Sequence, residues 1–266
     1  EYKRVANLSV AESALNDAVG AILTTAIAMM IVSGREIANV ADLAQGLFSG
    51  SNLAHLGGQF LFGSVAGVVG WLGMYAFEQY KSKRSQQGDQ EAPYDFAVVL
   101  AVPLVTFVLA QAIHGNGFFA AFVAGLLANF NHGTHYFHGL LHSVEVKIES
   151  VAKPTIFMMV GPFVALQDLI DTAGLGLWVS LVFMFVARPV AVLLSLLPTV
   201  VSLKEKLFLC AVRETGVIPV VLAVITVAQF PDMTQLMPLT AWVVIWTLTL
   251  LPALTPWWAR RLQMVE

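Results

Sequence analysis

Long apolar runs alternate with short polar breaks along the whole chain, and most of the runs are of membrane-crossing length. They fall at 8–32, 56–78, 95–113, 117–130, 155–170, 174–197, 205–229 and 237–257. Helix is the element expected of each, because a helix satisfies its own backbone hydrogen bonds in a medium without water. The breaks have recognisable chemistry. A polar loop over 33–55 carries Ser33-Gly34-Arg35 and Gly50-Ser51-Asn52 as breakers. A basic linker runs from Lys81 to Asp89, and His114-Gly115-Asn116-Gly117 makes a tight turn. The run 56–78 carries Gly63, Gly67 and Gly70, small residues that let helices approach closely. Residues 135–152 read differently: Phe137, Leu140, Leu141, Val144, Ile148 and Val151 recur at helical spacing among charged residues and histidines. That pattern predicts an amphipathic helix lying on a membrane surface.

Composition agrees with the pattern. With 58% apolar residues, 12% charged and a mean hydropathy of +0.76, the chain is an all-α polytopic membrane protein with about eight transmembrane helices. Cys210 has no second cysteine to pair with, so no internal disulfide forms. The chain opens on Glu1-Tyr2-Lys3-Arg4, a basic lead straight into an apolar run, and reads as a piece of a longer membrane domain. Charge placement then gives orientation. Alternating the spans puts eleven of the 14 Lys and Arg on one side and Arg35 on the other, leaving Arg188 and Arg213 within spans. The basic side faces the cytoplasm, so both ends of the segment are expected there, in the plasma (inner) membrane.

Polar residues inside the spans are the candidate chemistry. Glu12-Ser13-Ala14-Leu15-Asn16-Asp17 lies early in the first run. An ionisable group at such depth costs roughly 2.5–3.5 kcal/mol on insertion scales, so it marks function. At helical spacing Glu12 and Asn16 stack on one face while Ser13 and Asp17 stack on the adjoining one. A hydroxyl and a carboxylate one turn apart offer oxygen ligands to a small hard cation. This motif is therefore the expected ion site, with Ser13 and Asp17 as its oxygen ligands and Asn16 beside Asp17 in the same motif. Arg188 lies mid-span and needs an acid. Arg213, Glu214, Thr215, Gly216 and Pro219 mark an interruption of the seventh span, where a regular helix does not hold.

These residues carry a resemblance. Glu12-Ser-Ala-Leu-Asn-Asp17 followed by Ala-Val-Gly is similar to the signature helix of the monovalent cation:proton antiporters, in the electroneutral branch that includes the sodium/proton exchangers. Gly117-Phe-Phe-Ala-Ala-Phe-Val-Ala-Gly125 resembles that family's small-residue helix, and Ala187-Arg188-Pro189 its arginine-bearing helix. Val212-Arg213-Glu214-Thr215-Gly216 falls where its second repeat has a discontinuous helix.

The resemblance implies a homodimer with an inverted-repeat core that moves as an elevator against a dimerisation domain. It implies that Asp17 alternately binds a proton and a cation, that Asn16 marks one-for-one exchange, and that Ser13 helps hold the cation. It also implies that Glu12 pairs with Arg188, a buried structural salt bridge outside the ion path. On this reading 8–32 is the last helix of the first repeat, 56–170 holds intervening helices, and 174–257 is the complete second repeat. Two departures stand out. The first repeat's broken helix would precede Glu1, and Arg213-Glu214 replaces the family's commoner Arg-Gly pair.

The expected function is secondary active exchange of a monovalent cation for a proton by alternating access. Sodium is the expected cation, with potassium and lithium as alternatives, since the same oxygens serve all three. A passive cation channel is one competing reading. A membrane metalloenzyme is another, because His132, His135, His138 and His142 lie at helical spacing. Only His55 and His114 remain to build further boxes, so no metal and no enzyme are expected; a histidine pH sensor is a lesser reading of the row. No cofactor and no nucleic-acid partner are expected.

Overall fold

The computed structural model describes residues 2–32, 34, 39–85, 94–130, 147–148, 150–159, 161–196, 202–212 and 216–262. For 2–14, 81–85, 94–96, 99, 129–130 and 212 it describes the backbone alone. The described residues form helices and turns, with no strand among them. The helices are α1 Tyr2–Val32, α2 Val40–Leu47, α3 Gly50–Ser85, α4 Tyr94–Ala112, α5 Gly117–Phe130 and α6 150–159. They continue as α7 Leu166–Asp171, α8 Ala173–Val182, α9 Arg188–Leu196, α10 Leu203–Val212, α11 Val217–Gln229 and α12 Leu236–Arg261. A 3₁₀ turn, Gly161–Phe163, precedes α7, and a π-helical turn, Phe183–Ala187, joins α8 to α9.

Among the described residues, four helical stretches are long and apolar enough to cross a membrane: Leu15–Val32, Gly50–Tyr80, Ala173–Leu196 and Leu236–Arg261. Shorter apolar helices cover Leu100–Ala112, Gly117–Ala128 and Val217–Gln229. Three expectations need correction. The polar loop over 33–55 contains α2, which Asn39 and Asp42 start with a capping box, and α3 already begins at Gly50. The linker from Lys81 is helical through Ser85, as the end of α3. The fifth span, 155–170, is divided: α6 reaches residue 159, and a 3₁₀ turn containing Pro162 separates it from α7. Pro162 has no N–H to give to a helix running in from the preceding turn. Of the amphipathic helix expected over 135–152, residues 135–146 and 149 lie outside the described residues; 150–152 are helical and run on into 155–159 without a boundary.

The chain divides into two compact units, Ala14–Ala152 and Glu1–Ser13 with Lys153–Glu266. In the first, α3, α4 and α5 pack on one another. Glycines set how closely. A Cβ on Gly67 would lie 2.7 Å from the Ala120 carbonyl oxygen and 2.7 Å from Val123 Cβ, and one on Gly70 would run into Thr106. Thr106 tolerates burial because its hydroxyl donates to the Val102 carbonyl at 2.7 Å within its own helix. The turn between α4 and α5 is a Schellman closure. His114 takes φ 60° at the first position past the helix, and the Gly115 amide donates back to Ala110 O at 2.8 Å. Gly115 lies so near α3 that a Cβ there would sit 2.6 Å from Gly63 N, and the Asn116 amide donates across to Gln59 O at 3.2 Å.

In the second unit, α12 packs on α7, α8, α10 and α11. Trp242, near the start of α12, donates from Nε1 to Leu169 O at 2.9 Å and lies against Gly176 near the start of α8. α8 and α12 therefore start at one end and pack on each other; the run from α8 through α9 and the run of α12 are about 36 and 39 Å long. α9 and α10 form an antiparallel pair whose core is Val192, Leu209 and Cys210, flanked by Leu193, Leu196 and Phe208.

Candidate functional site

α1 is one unbroken helix from Tyr2 to Val32, so positions 12, 13, 16 and 17 keep the one-turn spacing that the sequence predicts. Below the motif it buries Ala18, Ala21, Ile22, Ala26 and Met30, of which Ile22 has no exposure at all. Asp17 is half-buried at the edge of that face, and Asn16 is exposed. The side chains of Glu12 and Ser13 lie outside the described residues.

Arg188 owes its position to an irregular turn. Pro189 cannot donate to the carbonyl four residues back and crowds it. The helix answers by widening: the Arg188 amide reaches Phe183 O, five residues back, which closes the π turn. From there the guanidinium crosses to α10 and donates from Nη2 to Leu209 O at 3.2 Å. Leu209 stands in the last turn of α10, where a helix leaves its final four carbonyls without backbone donors. A cation placed against the carbonyl end of a helix also complements its dipole. Cys210, next in sequence, faces Pro189 from the same turn, its Sγ 4.0 Å from Pro189 O.

α10 ends at Val212 and α11 starts at Val217, with Gly216 extended (φ −76°, ψ −174°) as its first cap residue. No side chain caps α11. Pro219 sits in the first turn of α11, where its missing N–H is one that no helix uses, so it starts this helix and does not kink it. Arg213, Glu214 and Thr215 lie outside the described residues. What the described residues present is a carbonyl-rich helix end held by an arginine, followed by a fresh helix start with free amides. Such a pair of helix ends offers partial negative and partial positive charge to an ion.

The chain matches the family model described as "Sodium/hydrogen exchanger, transmembrane" over residues 2–261. The chain belongs to the sodium/hydrogen exchanger family. Among curated relatives it is 28% identical over 150 residues to "K(+)/H(+) antiporter NhaP" of Alkalimonas amylolytica, covering 54% of this chain and 25% of that protein. It is 28% identical over 128 residues to "K(+)/H(+) antiporter NhaP2" of Shewanella baltica (strain OS223), covering 48% of this chain and 22% of that protein. The chain thus spans about a quarter of the length of the curated relatives it matches. Sodium/hydrogen exchangers are membrane transporters and not enzymes, and the apolar helices agree.

Two polar arrangements escaped the sequence reading. Ser202 and Glu205 form a capping box at the start of α10: Ser202 N donates to Glu205 Oε2 at 2.8 Å and Glu205 N to Ser202 Oγ at 3.3 Å. Its Ser-Leu-Lys-Glu spacing is the sequence signature of such a box. Gln59, buried on α3, shares a 2.9 Å hydrogen bond with His55, one helical turn earlier at the i, i+4 spacing. The histidines 132, 135, 138 and 142 lie outside the described residues; among the described ones no group of three or more His, Cys, Asp or Glu gathers as for a metal.

Proposed function

We propose that this segment carries the ion site of a secondary active transporter exchanging one monovalent cation for one proton by alternating access. The observation that carries the proposal is the family match over 2–261, with Asn16-Asp17 on an unbroken apolar helix inside it. Asp17 is the exchange site. One carboxylate cannot hold a proton and a cation together, so competition for its oxygens couples the two fluxes. Ser13, one turn earlier, lends an oxygen to the cation. Asn16 binds no second proton, which keeps the exchange electroneutral. Glu12 pairs with Arg188, a structural bridge beside the ion path. The family description names sodium and the matched relatives are named for potassium, so both are proposed substrates. The working protein is a homodimer in the inner membrane with both ends of this segment cytoplasmic.

The test is proton flux in proteoliposomes holding the full-length protein, with sodium, potassium or lithium added in turn. Asp17→Asn should reduce exchange to background with no loss of melting temperature, and Ser13→Ala should raise the KM for the cation more than it lowers kcat. Undiminished exchange by Asp17→Asn sinks the site. A current on cation addition would show that the exchange is not electroneutral.

A further inference from the structure

Between α1 and α3 stands an element for which the ion site has no use. α2 is eight residues long, about 12 Å, far short of a membrane crossing. It nevertheless lies between two helices of crossing length, α1 ending at Val32 and α3 beginning at Gly50. α3 has 36 residues and runs about 54 Å, well beyond the roughly 30 Å of a hydrocarbon core. Its first turns carry Ser51, Asn52 and His55, ahead of the apolar run. The start of α3, and α2 with it, therefore stands at the level of the lipid headgroups.

The polar groups of α2 are satisfied close at hand. Asn39 and Asp42 close the capping box at its start. At its other end the Gly46 carbonyl accepts from Ser49 Oγ and Asn52 Nδ2, both at 2.8 Å, and from the Ser49 amide at 3.2 Å. The Ser49 carbonyl then accepts from the Leu53 amide at 2.8 Å, which opens α3. These bonds span the corner and fix the angle between the two helices, with Gly46 buried there.

Another side of α2 is apolar and open. Val40, Ala44 and Phe48 recur every fourth position and so form one stripe. Val40 is 82% exposed and Phe48 72%, while Leu43 and Leu47 beside them are half-buried. Gln45 borders the stripe, and Asp42 lies on the opposite side of the helix. In chain order the stripe falls between exposed Ile31 and Val32 at the end of α1 and exposed Leu53 at the start of α3, apolar surface that lipid covers. A short helix with an open apolar stripe, a polar side opposite and both ends capped is suited to lie in a membrane interface.

We propose that α2 lies along the bilayer surface, with Val40, Ala44 and Phe48 among the upper acyl chains and Asp42 and Gln45 towards water, and that it anchors the start of α3 at that depth. α2 carries no Lys or Arg, so its hold on the membrane is apolar and asks for no anionic lipid.

The test uses the full-length protein with Cys210→Ser and every other cysteine replaced, reconstituted in phosphatidylcholine vesicles. A nitroxide is attached at Val40→Cys, Phe48→Cys or Gln45→Cys. Power saturation of its spectrum reads access of oxygen, which concentrates among acyl chains, against that of a nickel chelate, which stays in water. Oxygen should prevail several-fold at positions 40 and 48, and the chelate at position 45. Prevalence of the chelate at 40 and 48 would place the stripe in water and overturn the proposal. Exclusion of both reagents there would also overturn it, because a second copy or another segment of the full chain would then cover the stripe. If the Phe48→Cys protein does not fold, Val40→Cys read against Gln45→Cys decides the matter alone.

Discussion

At position 188 one guanidinium stands where two demands meet. Its donor to Leu209 O holds the end of α10, and a cation inside a span is best matched by an acid. Glu12 is the proposed acid, since the neighbouring candidate cation Arg213 has Glu214 beside it in sequence and Arg35 lies outside the spans. Removing one partner of a buried pair typically costs about 3–5 kcal/mol because the other charge is left in a poor solvent. Glu12→Gln and Arg188→Gln should each lower the melting temperature, and the double variant should lose clearly less than the sum. Strict additivity would mean that the two side chains do not touch. Arg188→Gln should lose somewhat more than Glu12→Gln, because it also releases the Leu209 carbonyl.

Elements were legible to different depths, and the reasons are physical. Hydropathy sees what must avoid water, so α4, α5, α8–α9 and α12 fall close to the expected spans. It does not see where a helix starts: α2 rests on the Asn39/Asp42 box, and α3 runs over polar Ser51 and Asn52 before any apolar run begins. Nor does it see a turn that loosens without ending, which is why the π turn ahead of Pro189 was not anticipated although the proline was in plain view. The site divides in the same way. Spacing alone put Asn16 and Asp17 on their helix, whereas the contact from Arg188 to a backbone carbonyl 21 positions away has no signature in side-chain types. Glycine spacing on α3 was legible, and it makes a sharp prediction. Gly67→Ala would put a methyl 2.7 Å from the Ala120 backbone oxygen, which a side-chain rotation cannot move away. Overpacking of this kind costs about 1–3 kcal/mol. The measurement is the melting temperature of the variant in detergent against Gly73→Ala, whose Cβ meets nothing within 4 Å. Equal stability of the two variants would show that α3 and α5 are not so close.

For the molecule as a whole, the distribution of charge along the membrane normal is the strongest constraint. In the unit containing Lys153–Glu266, exposed Asp168, Asp171 and Asp232 lie at the end where α8 and α12 begin. Lys204, Lys206, Arg260 and Arg261 lie at the other end. In the other unit, α3 and α4 carry the stretch from Lys81 to Arg84 at one end and the His114 turn at the opposite one. Basic residues are retained on the cytoplasmic side, so the proposed orientation puts Arg260 and Arg261 inside and Asp232 outside. Acids at the outer end would also raise the local concentration of cations near the entrance to an exchanger. Cysteine labelling separates the possibilities, and the chain is suited to it because Cys210 is its single cysteine and is buried. In a Cys210→Ser background, Asp232→Cys should react with an impermeant maleimide in right-side-out vesicles and Arg261→Cys only in inverted ones. The opposite pattern would reverse the proposed orientation. Reaction of both from one side would mean that α12 does not cross the bilayer.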